Sequence, residues 1–219
     1  MTPNLTLLET RVLGVLMEKE HTVPDSYPLT LNALVAGCNQ KTSRDPIIEA
    51  TDSEVAARVA NLKAMSFVTE SSGGRAPRYS HNFERVLQVP RQARALLAVL
   101  MLRGAQTAGE LRLNCERLYA FSDISSVEAF LHELAQRPAG ALVAELPRQP
   151  GARENRWMHL LSGVPTAPEP DAIEAMPRSV ASAPTAIQAL EKKVAHLEIE
   201  VGELKALVAE MRNARIMPS

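Results

Sequence analysis

Apolar positions recur every three to four residues over 7–20, 30–39, 52–66, 91–103, 107–118 and 125–137, which predicts six helices. The third and sixth are the most regular, with Val55, Val59 and Leu62 in one and Val127, Leu131 and Leu134 in the other. Each is followed by a β-rich stretch that doubles back. Phe67-Val68-Thr69 turns at Gly73-Gly74 and returns through residues 78–83; Leu142-Val143-Ala144 turns around Pro150-Gly151 and returns through residues 156–161. Helix starts are marked by Thr6-x-x-Glu9, Thr51-x-x-Glu54, Thr107-x-x-Glu110 and Ser125-x-x-Glu128. In each, a hydroxyl and a carboxylate satisfy otherwise orphaned backbone N–H groups. Pro90 suits a first helical turn, and Thr30 is placed to cap the helix that follows Pro28.

These elements form one unit used twice. Val12-Leu13-Gly14-Val15-Leu16-Met17 aligns with Leu96-Leu97-Ala98-Val99-Leu100-Met101, and Leu34 and Cys38 align with Leu111 and Cys115 at equal spacing. The closing strands agree as well, Arg78-Tyr79-Ser80-His81 against Arg156-Trp157-Met158-His159. Three helices closed by a hairpin describe a winged helix. The expected fold is therefore mainly α with small β-hairpins (α+β), as tandem winged helix-turn-helix domains over residues 1–85 and 90–162, joined by residues 84–90.

Residues 163–185 are rich in Pro, Ala, Ser and acidic side chains without apolar period, and read as a flexible linker. Over 186–214 a heptad pattern follows, with Ile187, Val194, Val201 and Val208 at a and Leu190, Leu197, Leu204 and Met211 at d. β-Branched residues at a with mainly Leu at d favour a parallel two-stranded coiled coil. Lys193 opposite Glu198, and Glu200 opposite Lys205, supply the cross-strand charge pairs of a parallel homodimer. The alternative is an amphipathic helix folded back on its own chain.

Composition narrows the choices modestly. Aromatics are 4% of the chain, so the cores are expected to be aliphatic, and a net charge of -1 offers no global attraction to polyanions. Residues 91–162 hold nine basic against seven acidic side chains, every basic one an Arg, against nine and ten over residues 1–85. Guanidinium forks suit phosphate or carboxylate. No basic-then-apolar leader or membrane-length apolar run is present, so a soluble cytoplasmic protein is expected. Cys38 and Cys115, at equivalent points of the repeats, read as core thiols.

Catalytic patterns are absent: the five histidines are scattered, with no H-E-x-x-H, C-x-x-C, Walker loop or G-x-G-x-x-G. No enzyme activity, cofactor or metal is expected. His81 and His159 alternate in phase with Tyr79 and Trp157, as structural groups beneath the hairpin or as phosphate-contacting or pH-sensing groups. For nucleic acid, the third helix offers Arg58, Asn61 and Lys63 behind Asp52 and Glu54, whereas the sixth offers only Glu128, His132 and Glu133. The hairpins supply Arg75 and Arg78, then Arg148, Arg153 and Arg156, as phosphate contacts or as solvated charges. Residues 39–46 are the most unusual local stretch. There Asn39, Gln40, Lys41, Ser43 and Arg44 make a polar loop before Pro46, suited to an anion, to a partner or to turning the chain.

Several stretches carry a resemblance: Glu18-Lys19-Glu20 with Thr22, residues 24–29, Leu31-Asn32-Ala33-Leu34, Cys38-Asn39-Gln40-Lys41 and Arg44-Asp45-Pro46. In the second half they are Leu102-Arg103-Gly104, Gln106-Thr107, Gly109-Glu110-Leu111, Arg117-Leu118, Phe121, Asp123, Pro147-Arg148, Pro150-Gly151 and His159-Leu160-Leu161. On these residues the chain resembles the YceH-like family of bacterial proteins over 7–162, departing at Gly37, where Ala is expected. The resemblance implies a tandem winged-helix fold and brings no reaction, ligand or catalytic residue. The expected function is that of a dimeric DNA-binding protein, a transcriptional regulator by its fold, with both hairpins on phosphate. The alternative is a protein-interaction adaptor that uses the polar loop, Tyr27-Pro28 and the heptad segment without binding DNA.

Overall fold

The computed structural model describes residues 3–72, 76–148, 151 and 153–163, all within the first of the chain's two units, Met1–Pro165. These residues form seven α-helices, one 3-10 turn and five short strands in two small antiparallel sheets. Predicted elements falling on the heptad segment and on residues 164–185 lie outside the described residues, as do Gly73, Gly74 and Arg75.

The first half runs α1 (Leu7–Thr22), β1 (Leu29–Thr30), α2 (Leu31–Cys38), α3 (Asp52–Ala64), β2 (Val68–Ser71) and β3 (Arg78–His81). Capping boxes at Thr6/Glu9 and Thr51/Glu54 start α1 and α3, and the Thr30 hydroxyl accepts from the Ala33 N–H at the head of α2. The hairpin gains a strand that periodicity did not reveal. β1 pairs with β3 through Leu29–Tyr79 and Thr30–Arg78, giving the order β1-β3-β2.

Between the halves, residues 84–90 do more than connect. α4 (Phe83–Leu87) is anchored by buried Phe83, whose ring lies 5.9 Å from that of Phe67, and by Leu87. The second half then repeats the first with α5 (Arg91–Arg103), α6 (Ala108–Cys115), α7 (Ile124–Ala135), β4 (Val143–Leu146) and β5 (Arg156–His159). Its counterpart of β1 is a single bridge, where Gln106 and Trp157 exchange N–H···O bonds of 3.0 and 2.7 Å.

Some expected boundaries require correction. α7 begins at Ile124, capped by Asp123, whose carboxylate accepts from the Ser126 N–H at 2.7 Å; Ser125 therefore lies inside the first helical turn and is not the cap, so no Ser125/Glu128 box starts the helix. α6 ends at Cys115 rather than 118, and α3 at Ala64, where Ser66 turns left-handed (φ 63°) to launch β2. Pro90 occupies the cap position, and α5 opens at Arg91.

α1 and α5 are the structural centre and pack against each other. Both are buried around their circumference, from Glu9 to Met17 in α1 and from Ala93 to Leu102 in α5, as expected of central helices. Gly14 permits the approach: a Cβ there would lie 2.8 Å from Leu102 Cγ and 3.5 Å from the Ala98 carbonyl oxygen. Gly37 has a similar role against Val15, 2.5 Å from where a Cβ would stand, so the departure from Ala has a packing reason. The core around them is almost wholly aliphatic, with free Cys38 and Cys115 buried in it and both thiols pushed up to about 12 by burial.

Candidate functional site

Of the seven basic residues expected to face nucleic acid, six lie among the described residues, and Lys63, Arg78 and Arg156 bond to groups of the protein itself. Lys63 is exposed but ion-paired to Glu70. Arg58 is half-buried and contributes positive potential to Glu9 and Glu54. Arg78 donates to the Pro28 and Ser26 carbonyls at 2.7 and 3.3 Å, and its repeat equivalent Arg156 donates to the Ala105 carbonyl. Both therefore tie the last strand of a hairpin to the segment that enters a second helix.

Arg148 and Arg153 remain exposed. They line an open hollow of about 590 Å³ beneath the second hairpin, together with Glu128, Glu145, Glu154 and Trp157. Three carboxylates there outnumber the two guanidinium groups, so the hollow is not a basic surface. Arg75 lies outside the described residues.

The polar loop turns out to be built inward. Asn39 clamps the Ala50 backbone, its amide donating to the carbonyl and its oxygen accepting from the N–H, both at 2.8 Å. Arg44 is fully buried at its side chain and forks onto Glu18, with Nη1 to Oε1 at 3.1 Å and Nη2 to Oε2 at 2.6 Å. Its Nε donates to the Gly37 carbonyl, and Nη1 also donates to Ser43 O, closing the C-terminal end of α2. Burial pushes the Glu18 carboxyl up, but the Arg44 bonds and the charges of Arg44 and Lys19 outweigh it and hold it below its ordinary range. Gln40 accepts from Lys19 at 3.3 Å, Ser43 from Arg103 at 2.8 Å, and Lys41 alone of the five is exposed.

Arg11 deepens this knot. Its side chain is wholly buried and donates to the carbonyls of Cys38 and Pro46 at 3.1 and 2.6 Å, and its Nε finds no acceptor among the described residues. Sequence reasoning missed Arg11, since one cation inside an apolar helix gives no sign of its carbonyl partners.

A second charged cluster joins the halves. The Glu20 carboxylate receives His81 Nε2 at 3.0 Å and Arg94 Nη1 at 2.6 Å, and Arg94 Nε reaches Glu84 at 3.2 Å. The His81 bond, outweighing burial and helped by the nearby cations, holds Glu20 at about 2. His21 accepts from Arg94, and burial followed by that positive charge lowers its pKa. The Tyr27 hydroxyl accepts from the His81 N–H at 2.9 Å. His81 is thus a buttress between β3, α1 and α5. His159, its repeat equivalent, has a buried Nδ1 without a partner among the described residues and a pKa pushed down to about 4 by burial.

Among the described residues, no group of three His, Cys, Asp or Glu side chains is placed to hold a metal ion. No helix among them is long and apolar enough to cross a membrane.

A UPF0502 protein of Dechloromonas aromatica (strain RCB) is 59% identical over 209 residues, 95% of this chain and 96% of its own. One from Burkholderia multivorans is 65% identical over 159 residues, 73% of this chain and 67% of its own. A third, from Burkholderia pseudomallei (strain 668), is 54% identical over 209 residues, 95% and 88% of the two chains. The family described as protein of unknown function, DUF480, matches residues 5–152, which takes in both halves up to the second hairpin; the chain belongs to that family, of which the YceH-like resemblance is an expression.

Proposed function

We propose that each half is a winged helix and that the tandem serves as a non-catalytic recognition module whose partner is a protein. The order helix, helix, helix, hairpin in both halves, with a short strand before the second helix in the first and a single bridge there in the second, supports the fold reading. The observation that carries the partner reading is α7. Its sequence, Ile124 to Ala135, contains no Lys or Arg, and Glu128 and Glu133 are exposed on it. A third helix of that charge repels a phosphate backbone, whose neutralisation by cations supplies most of the affinity for duplex DNA. Dimerisation through Ile187, Leu190, Val194, Leu197, Val201, Leu204, Val208 and Met211 belongs to the same proposal and would couple weak sites by avidity.

The second reading, a DNA-binding regulator, is favoured by exposed Arg148 and Arg153 on the second hairpin. One experiment separates the two: fluorescence anisotropy of a mixed pool of short duplexes with the full chain across a salt series. The adaptor reading expects no binding at low salt. Binding that weakens steeply with salt, and weakens uniformly in Arg148→Ala and Arg153→Ala, overturns it. Sedimentation of wild type against Leu190→Asp, Leu197→Asp tests the dimer.

A further inference from the structure

α1 and α5 do more than fill the core: residues near their C-terminal ends line a cleft of about 230 Å³, below the roughly 300–1,000 Å³ of drug-sized pockets. The lining is organised by the repeat. Lys19 and Arg103 are equivalent positions two residues past the aligned run, as are Glu18 and Leu102 before them, and Gln40 and Arg117 lie equally far beyond Cys38 and Cys115. All six face the same space, so the cleft lies where the two halves meet through matching elements.

Its walls divide by polarity. Buried Val99, Leu102 and Leu118 form an apolar floor. At the rim stand three cations, Lys19, Arg103 and Arg117, against one carboxylate, Glu18, which is already committed to Arg44 and Lys19. Arg103 spends one Nη donor on Ser43 Oγ, and its other donors form no bond among the described residues. Arg117 makes no hydrogen bond or ion pair among the described residues. Two guanidinium groups with open donors over an apolar floor match an oxyanion carried on a short apolar body, since such forks bind carboxylate and phosphate bidentately.

We propose that this cleft is a binding site for a small amphiphilic oxyanion, its phosphate or carboxylate between Arg103 and Arg117 and its apolar part on Val99, Leu102 and Leu118. The site does not depend on whether the tandem recognises protein or DNA. A ligand there contacts both halves at once and thereby sets the strength of their association.

The test is a titration of the full chain with hexyl phosphate, hexanoate and inorganic phosphate, followed by amide chemical shifts and by thermal unfolding. Saturable binding of hexyl phosphate or hexanoate, with shifts at Val99, Asn114 and Leu118, is expected. Whichever of the two binds more tightly identifies the headgroup. Arg117→Gln, at an exposed position whose loss leaves folding intact, should weaken that binding at least tenfold, while Arg148→Gln leaves it unchanged. Absence of saturable binding by either amphiphile overturns the proposal, as does equal loss in Arg148→Gln or equal affinity for inorganic phosphate alone.

Discussion

Replacing Arg44 by Met gives the sharpest test of how the first half is held together. The substitution keeps a flexible side chain of similar length and removes the guanidinium bonds at once. Glu18, with its side chain 15% exposed, loses both of its bonds to Arg44, and the carbonyls of Gly37 and Ser43 lose their donors. Breaking a buried ion pair from one side costs about 3–5 kcal/mol, of which roughly 1 kcal/mol for each orphaned carbonyl is a part. Urea unfolding of Arg44→Met at pH 7 should show that loss.

The double variant Glu18→Gln, Arg44→Met should be more stable than the sum of the single changes predicts, because no carboxylate is then stranded. The pH dependence has a definite sign. Without Arg44, only Lys19 opposes the burial of Glu18, so its carboxyl moves up from its lowered position and the deficit should shrink as the pH falls and Glu18 takes up its proton. A loss under about 1 kcal/mol, or additivity in the double variant, would show that the fork is not what secures the loop.

Other expectations follow from single contacts. His159 is pushed down to about 4, so the folded protein keeps it neutral while the unfolded chain takes up its proton near 6.5. Stability is full above pH 6.5 and falls as the pH drops toward 4. The loss reaches roughly 2 kcal/mol at pH 5, because every pH step below the unfolded value costs about 1.4 kcal/mol. Urea midpoints at pH 7 and 5 should converge in His159→Gln, and an unchanged difference would refute the assignment. Gly14→Ala places a methyl 2.8 Å from Leu102 Cγ and should lower stability by about 1–3 kcal/mol in calorimetry. Gly37→Ala improves helix propensity by roughly 1 kcal/mol yet should still destabilise, because Val15 stands 2.5 Å from the new Cβ; a gain in melting temperature would contradict the packing argument.

What the sequence disclosed and what it withheld divide along physical lines. Helix starts at Thr6, Thr51 and Thr107 were legible because a capping box is a local device, complete within four residues. The same pattern misled at Ser125, because Asp123 two residues earlier takes the cap position and leaves Ser125 within the first turn. β1 and α4 were invisible because two strand residues and five helical ones carry no period; pairing with β3 and the burial of Phe83 create them. Arg44 and Arg148 look alike in a sequence, and only tertiary structure sends one onto Glu18 and leaves the other in solvent. The cleft had a faint signal in the cations at equivalent positions Lys19 and Arg103, which gains meaning only once α1 and α5 are known to touch.

That central helix pair also bears on how the chain acquires its structure. A domain that can fold by itself keeps one side of every surface helix wet, but α1 and α5 are each buried all round over contiguous stretches and pack against each other. Severed near Gln88, either fragment would present a full-length greasy stripe to water and would collapse or self-associate rather than fold. The tandem should therefore melt in a single cooperative transition, with the docking of one half completing the other. Two separate transitions, by calorimetry, would show instead that each half folds by itself.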